Sequence, residues 1–224
     1  MAVRDRRHER RQRTIDELVA TALEVMAETG AAGLSLGEVA KRMGIRTPSL
    51  YGYFPSKAAL CDELFARGWR EVRAAMESSY DDLAAGDDAA GLLLANLGTF
   101  VGWALDHRAQ AELMFWRPIL GWEPAPEAYA AAVALTDDMH EALATMQRRR
   151  LLRADADVEE MGRVITVLST GVISQQLSNE PGVPLGRGRF TGDLGRLVAM
   201  FLREFGTAHG AAARRRSDQR KVRT

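Results

Sequence analysis

The sequence predicts an all-α protein, and three observations support this prediction. Apolar residues recur every three or four positions over long stretches, which is the spacing of amphipathic helices. The chain has only seven prolines, and they fall between these stretches or in their first turns. Serine or threonine precedes several stretches and glycine follows others, as at helix ends. We therefore expect an almost entirely helical chain.

Composition indicates a globular protein. The chain has 224 residues, of which 46% are apolar, and this is enough for a hydrophobic core. No apolar run reaches the ~18 residues of a membrane helix, and the first residues lack a signal peptide's apolar stretch, so we expect a cytoplasmic protein. The single cysteine, Cys61, cannot form an internal disulfide. A catalytic Cys61 is a minor alternative.

The formal charge is zero but unevenly distributed. Residues 1–13 form a basic arm with six arginines against Asp5 and Glu9, and residues 211–224 form a basic tail. The residues between them are therefore acidic overall. A basic N-terminal arm suits a polyanionic partner. The tail is expected to be disordered, without a specific role.

The first helices are predicted from periodicity and end signals. Helix 1 runs from Ile15 to Gly30 on an apolar stripe formed by Leu18, Val19, Ala22, Val25 and Met26. Helix 2 runs from Leu36 to Met43, with Ser35 and Glu38 as a capping box, a Leu34–Val39 staple, and Gly44 as the C-terminal cap.

The next two helices surround the segment TPSLYGYFPSK, which spans residues 47–57. Thr47 is predicted to cap helix 3, with Pro48 as its first residue, and Phe54 ends it because Pro55 follows. Ser56 caps a long helix 4 that reaches about Leu83.

Two short helices joined by a glycine-containing turn, after a supporting helix, indicate a helix-turn-helix. On the wheel of helix 3, Leu50 and Phe54 face the core, and Tyr51 and Tyr53 lie on the flanks. The opposite face carries small residues, which suits contact with base edges in the major groove: Pro48, Ser49 and Gly52. A generic helical hairpin is the alternative.

Two residues strengthen the DNA-binding interpretation. Gly52 costs ~1 kcal/mol of helix propensity, which is tolerable if it lets the backbone approach DNA closely. Lys57 opposes the dipole of helix 4, and a phosphate bound at that N-terminus would reverse the sign of this effect. A lysine that only contacts water is the alternative.

The segment GLSLGEVAKRMGIRTPSLYGYFPSKAALCDELF, residues 33–65, resembles the DNA-binding domain of TetR-type transcriptional repressors. The resemblance covers about residues 14–65 and implies phosphate contacts by Ser35, Tyr51, Tyr53 and Lys57. It also implies that Arg46, Thr47, Pro48 and Ser49 form the base-reading segment. Thr47-Pro48 and Gly52 depart from the common pattern, so no relative's operator is transferred.

The chain is divided into domains accordingly: an arm (1–13), a helix-turn-helix domain (14–65), a helical regulatory and dimerisation domain (66–210) and a tail (211–224). Helices of the regulatory domain are predicted at 88–107, 109–116, 125–150, 156–178 and 191–208. Apolar stripes on the last two predict a four-helix dimer interface: Val158, Met161, Ile165, Leu168, Val172, Leu194, Leu197, Val198, Phe201 and Phe205. The alternative is that both stripes are buried within the monomer.

A ligand pocket in the regulatory domain is predicted from aromatic and methionine side chains at helical spacing, with two glutamines as polar anchors. These are Phe100, Trp103, Met114, Phe115, Trp116, Trp122, Tyr129, Met139, Met146, Gln175 and Gln176. The alternative for each apolar residue is a plain core position. His107 and His140 have no partners at metal-ligand spacing and are assigned structural or capping roles, so no metal or cofactor is expected.

The predicted function is that of a homodimeric repressor that binds a palindromic DNA operator and is released by a small hydrophobic or aromatic ligand. The first alternative is a regulator without a ligand, controlled by a protein partner or by abundance. An enzyme is a second alternative, against which the sequence has no Gly-rich phosphate loop and no Gly-x-Ser-x-Gly elbow. A purely structural helical dimer is the third.

Overall fold

The computed structural model describes residues 2–208, with side-chain surroundings for residues 6–83 and 85–208. The helices are α1 (Ala2–Thr29), α2 (Leu36–Arg42), α3 (Thr47–Leu50), α4 (Lys57–Ala85), α5 (Ala89–Asp106), α6 (Arg108–Trp116), α7 (Pro126–Arg148), α8 (Val158–Asn179), α9 (Arg189–Gly192) and α10 (Leu194–Phe205). A 3-10 turn, Ala31–Gly33, links α1 to α2. The all-α prediction is confirmed, and the predicted tail lies outside the described residues.

Helix α1 is longer than its apolar stripe. The predicted stripe is buried, but the helix begins at Ala2, so the basic arm is continuous with it. Arginine favours the helix, and an i,i+4 pair between Arg13 and Glu9, with N···O 3.8 Å, adds a small stabilisation. The arm is therefore helical from Ala2, and Arg6, Arg7, Arg10, Arg11 and Arg13 are exposed on it.

Helix α2 begins at Leu36 and is capped by Gly44 as predicted, but the predicted side-chain bonds at its N-terminus are not formed. Gly44 has φ of 66°, and Ile45 N–H donates to the Ala40 carbonyl at 3.0 Å, which is the bond of a Schellman cap. At the N-terminus, Ser35 has extended geometry but makes no side-chain capping bond within the described chain. The predicted capping box is wrong because the Glu38 carboxylate accepts from Arg42 Nε at 3.1 Å instead of reaching back.

Helix α3 is shorter than predicted. Thr47 is its first residue rather than its cap, because the Arg46 carbonyl accepts from Ser49 N–H at 2.8 Å. After Leu50 the chain continues in tight turns, with Tyr53 N–H donating to the Leu50 carbonyl at 2.8 Å. The predicted cap of α4 is confirmed, since the Ser56 hydroxyl accepts from Ala59 N–H at 3.1 Å.

The chain packs into two compact units. The first unit holds Met1–Arg70 and His107–Ala132, and the second holds Glu71–Asp106 and Val133–Thr224. The first unit thus groups α6 and the start of α7 with the helix-turn-helix. The functional domains predicted from the sequence, with boundaries after residues 13, 65 and 210, stay a prediction.

In the second unit, α5 packs against α8 and α10. The stripes predicted to form the dimer interface are largely used in this packing: Met161, Ile165, Val172, Leu194, Val198, Phe201 and Phe205 are buried. Helices of the same chain therefore already cover these seven residues, whereas Val158, Leu168 and Leu197 are half-buried. The four-helix dimer interface stays a prediction, and most of the residues predicted to form it are used within the chain.

Helix α5 is, within residues 2–208, long and apolar enough to cross a membrane by length and composition, with a mean hydropathy of 1.3. This corrects the expectation that no apolar stretch reaches that length. Seven of its residues are buried against the rest of the chain. A core helix of a water-soluble domain passes the same test, so the observation is weak support for a membrane span.

Candidate DNA-binding site

The candidate site is the exposed side of α3 and the turn that follows it. Leu50 and Phe54 are buried, with exposed fractions of 0% and 6%, which confirms that this face of α3 points into the core. Pro48 and Ser49 are exposed, and Tyr51 is 49% exposed. The short helix is thus anchored by two apolar side chains and presents small residues and a phenol to solvent.

Gly52 lies in the turn after α3 and is exposed. A Cβ built at this position would lie 3.3 Å from the Ser49 carbonyl oxygen, which is a tight contact. Because α3 ends at Leu50, Gly52 lies outside the helix, and its low helix propensity costs less than the ~1 kcal/mol expected within a helix. The small size of this residue keeps the exposed backbone accessible.

Tyr53 is held by a residue that the sequence did not single out. Arg11 Nη1 donates to the Gly52 carbonyl at 3.3 Å, and the Arg11 Cζ lies 5.1 Å from the centroid of the Tyr53 ring. This distance is typical of a cation–π contact. Arg11 therefore connects the basic part of α1 to the end of the candidate recognition segment.

Lys57 and Ser35 lie at the starts of α4 and α2. Lys57 is half-buried, and its Nζ lies 3.5 Å from the Ala32 carbonyl oxygen, at the limit of a hydrogen bond. Ser35 is exposed. Both side chains are therefore accessible for a stronger acceptor or an anion. Arg46 is exposed and Thr47 half-buried at the start of α3.

An ion-pair network fixes α2 against α1. Arg42 donates to both Glu28 oxygens, at 2.7 and 2.6 Å, and also to Glu38. These hydrogen bonds lower the pKa of both carboxyl groups below the ordinary value of 4.5 and raise the pKa of the guanidinium. The helix-turn-helix is thereby braced on the outside of its apolar core.

The residues predicted to line a ligand pocket fall into both packing units. The first unit contains Met114, Phe115, Trp116, Trp122 and Tyr129, and the second contains Phe100, Trp103, Met139, Met146, Gln175 and Gln176. Gln176 is fully buried, and its Nε2 donates to the Glu180 carbonyl at 2.8 Å. Gln175 bonds to Asn179. Both glutamines thus have local partners near the end of α8.

The first unit contains an aromatic cluster around Phe65. Its ring stacks on Tyr129 and makes edge contacts with Trp69 and Trp122. Asp62 holds the Trp122 ring in place, because its carboxylate accepts a hydrogen bond from Trp122 Nε1 at 3.1 Å. Within the described side chains, Trp69 Nε1 is buried without a hydrogen-bond acceptor. The cluster therefore retains one unsatisfied donor in an apolar environment.

Cys61 and His140 take part in packing, whereas His107 is exposed. Cys61 is buried on α4, and burial raises the pKa of its thiol to about 11, which disfavours the reactive thiolate. His107 occupies the N-cap position of α6. His140 packs on α8, where a Cβ at Gly162 would lie 2.6 Å from its Nε2. Residues 2–208 contain no His, Cys, Asp and Glu group with the arrangement of a metal site.

The segment that contains the candidate site matches a known protein family. The family model for bacterial regulatory proteins of the tetR family matches residues 18–64. An HTH-type transcriptional regulator of Mycobacterium tuberculosis is 25% identical over 122 residues, which are 54% of this chain and 52% of the relative. The tetracycline repressor protein class A from transposon 1721 of Escherichia coli is 30% identical over 96 residues, covering 43% of this chain and 42% of the repressor.

Solved structures share the fold over most of the chain. A protein of unknown function from Rhodococcus sp. RHA1 superposes with a TM-score of 0.71 at 22% identity, covering 86% of this chain and 95% of its own. The transcriptional regulator FadR from Bacillus subtilis, solved in complex with stearoyl-CoA, has a TM-score of 0.64 at 15% identity, covering 83% and 96%. At these identities the likeness shows the fold alone.

The curated relatives are matched over only about half of their length, so the comparison is strongest for the helix-turn-helix. The matched residues 18–64 run from the buried stripe of α1 through α3 to the start of α4. Buried Leu50 and Phe54 and the exposed α3 face lie inside this match. This agreement of sequence family and local geometry identifies residues 18–64 as a helix-turn-helix domain of the tetR family of bacterial regulatory proteins.

Proposed function

We propose that the chain is a homodimeric repressor that binds a palindromic operator and is released by a small hydrophobic ligand. The main support for this proposal is the exposed face of α3. The buried side chains of Leu50 and Phe54 attach this segment to the core, and Tyr51, Tyr53 and Lys57 flank the exposed face. Such a face suits the major groove, where small residues reach base edges and flanking donors reach phosphates.

The candidate residues divide into two roles. Arg46, Thr47, Pro48 and Ser49 at the start of α3 are assigned to base edges, where each good contact is worth ~1–3 kcal/mol of discrimination. Ser35, Tyr51, Tyr53 and Lys57 are assigned to phosphates. The absence of a capping bond at Ser35 supports this role, because its hydroxyl keeps its donor and acceptor capacity. Gly52 allows close approach of the backbone.

A homodimer would place two such faces on successive turns of one side of the duplex, about 34 Å apart. The inner stripes of α8 and α10 are already buried, so the proposed interface uses the outer faces of these helices. Val167 is 69% exposed and Met200 is 45% exposed, although each is apolar. A second copy of the chain is the proposed occupant of this surface.

An effector is supported by the aromatic cluster. Its rings suit an apolar or flat aromatic molecule, and the unsatisfied Trp69 Nε1 donor suits a ligand with a carbonyl or hydroxyl oxygen. FadR of Bacillus subtilis has the same fold and was solved with an acyl thioester, which supports a hydrophobic effector in this fold. The protein is proposed to act in the cytoplasm, where operator and ligand meet.

The test is binding of the purified protein to DNA from upstream of its own gene. Fluorescence anisotropy should show tighter binding to this DNA than to a scrambled duplex, and log affinity should fall steeply with log salt. No binding, or equal binding without salt dependence, would favour an enzyme or a structural dimer.

The ligand step needs its own readout. Apolar ligands should quench tryptophan fluorescence and weaken operator binding. A ~100-fold preference for the non-operator conformation corresponds to ~2.7 kcal/mol of coupling. Quenching with unchanged operator affinity would favour the alternative, a regulator controlled by a protein partner or by abundance.

A further inference from the structure

The N-terminal turns of α1 carry a second group of arginines on the side of the helix that meets the candidate recognition segment. We propose that Arg7 and Arg11 form a phosphate-binding surface that extends the DNA footprint beyond the helix-turn-helix. This inference rests on the proposed function, since the ligand is the backbone of the same DNA duplex. Neither arginine lies within the matched residues 18–64.

The position of Arg11 is fixed by its contacts. Its guanidinium donates to the Gly52 carbonyl at 3.3 Å and lies over the Tyr53 ring at 5.1 Å. Both partners are neutral, so the positive charge is not cancelled by these contacts. The charge is therefore held beside Tyr53, which is itself a candidate phosphate contact.

Arg7 shares this face of the helix. At 3.6 residues per turn, Arg7 lies about 40° from Arg11 around the axis and ~6 Å before it along the axis. Both side chains are exposed, and neither forms an ion pair with any carboxylate among the described side chains. Two adjacent uncompensated cations suit a polyanion.

The acidic residues of this part of α1 occupy other directions. Glu9 lies about 160° from Arg11 around the helix and pairs with Arg13 at 3.8 Å. Asp16 lies about 140° away and pairs with Arg67 at 2.9 Å. The face with Arg7 and Arg11 is thus purely basic, whereas the opposite face is partly neutralised.

Helix geometry makes this surface rigid. The arginines belong to a continuous helix whose later turns are anchored in the core by Leu18 and Val19. Helix α1 and the recognition segment belong to the same packing unit, and Arg11 contacts the Tyr53 ring directly. Phosphate contacts of this kind position a protein on DNA without reading sequence.

The test compares Arg7→Gln and Arg11→Gln with Arg13→Gln as a matched control. All three remove one positive charge from the same helix, but Arg13 lies on the opposite face and is paired with Glu9. Binding of the full chain to an upstream duplex and to a scrambled duplex is measured by anisotropy over a series of salt concentrations. Circular dichroism melting curves verify folding.

Each of the Arg7 and Arg11 variants should lower the slope of log affinity against log salt by about one, on both duplexes alike. Arg13→Gln should leave the slope at the wild-type value. Arg11→Gln removes contacts with Gly52 and Tyr53 and could perturb folding. Arg7→Gln removes no such contact with the recognition segment, so it tests the surface even if the Arg11 variant is unstable.

Wild-type slopes for both Arg7→Gln and Arg11→Gln, or an equal reduction for Arg13→Gln, would overturn the proposed surface. In these outcomes the wild-type protein still binds DNA, so the proposed function stands. Failure of the wild-type protein to bind any duplex would instead refute the proposed function, and this surface with it.

Discussion

At the scale of single residues, Gly52 decides how closely the backbone can approach a partner. It is exposed, lies two positions after Leu50, the last residue of α3, and its carbonyl accepts a hydrogen bond from Arg11. An added methyl group would meet the Ser49 carbonyl oxygen at 3.3 Å. The same methyl group would also stand on the surface that is proposed to face DNA.

We predict that Gly52→Ala weakens operator binding while leaving the melting temperature unchanged or slightly lower. The stability gain expected inside a helix is mostly absent, because α3 ends at Leu50 and the new contact is tight. Gly195→Ala is the control, since a Cβ at this position in α10 meets nothing within 4 Å. The control should gain up to ~1 kcal/mol of stability and bind DNA normally. Operator binding by Gly52→Ala at wild-type strength would show that no close approach occurs there.

At the scale of elements, Arg42 joins α1 to α2 through Glu28 and Glu38. The hydrogen bonds from Arg42 lower the pKa of both carboxyl groups in the folded state. Groups with a lowered folded pKa add stability that is complete above the unfolded pKa and is lost as pH falls through the folded pKa. The bonds of Arg42 to Glu28 and Glu38 therefore stabilise the folded state most near neutral pH.

We predict that Arg42→Gln lowers the melting temperature at pH 7 and that this deficit shrinks as the pH falls below 4.5, the ordinary carboxyl value. Protonated carboxyl groups lose the charge-assisted bonds even in the wild-type protein, so the two proteins converge in acid. Arg163→Gln removes a looser pair with Glu159, with N···O 3.9 Å, and serves as control. A deficit that stays constant from pH 7 to pH 3 would show that Arg42 acts by packing alone.

Sequence periodicity predicted the long elements well, and the reason is physical. Where an apolar stripe meets clear end signals, as in α5, α6 and α8, the predicted bounds agree with the structure to within one or two residues. The Ser56 cap and the Gly44 cap were predicted because each depends on its nearest neighbours. Both caps are formed by bonds between residues at most five positions apart.

The local sequence pattern could not predict which of several possible hydrogen-bond partners a side chain contacts. Glu38 can reach either Ser35 or Arg42, and the presence of Glu28 on α1 beside Arg42 decides for the latter. The contact of Arg11 with Gly52 joins residues 41 positions apart. The amphipathic stripes of α8 and α10 predicted burial correctly, but periodicity does not state whether the covering helix belongs to the same chain or to a partner.

At the scale of the whole molecule, assembly depends on surfaces that remain apolar after the chain has folded. Val167 on α8 and Met200 on α10 are such positions. We predict a dimer at micromolar concentration in sedimentation equilibrium. The double variant Val167→Glu and Met200→Glu should shift it to monomer, because an interface would bury the new charges.

Val133→Glu in α7 is the control for this variant, since Val133 is exposed to a similar extent, at 44%. It should leave the dimer intact. A wild-type monomer would contradict the dimer proposal, and a dimer that survives the double substitution would place its interface elsewhere.

The salt dependence of DNA binding by Lys57→Ala tests whether the α3 face and the start of α4 dock on DNA with Lys57 on a phosphate. The slope of log affinity against log salt should fall by about one relative to wild type, equally on operator and scrambled duplexes. Arg203→Ala in α10, which also removes one exposed cation, should keep the wild-type slope. An unchanged slope for a folded Lys57→Ala variant, or a loss of affinity confined to the operator, would show that Lys57 does not contact a phosphate.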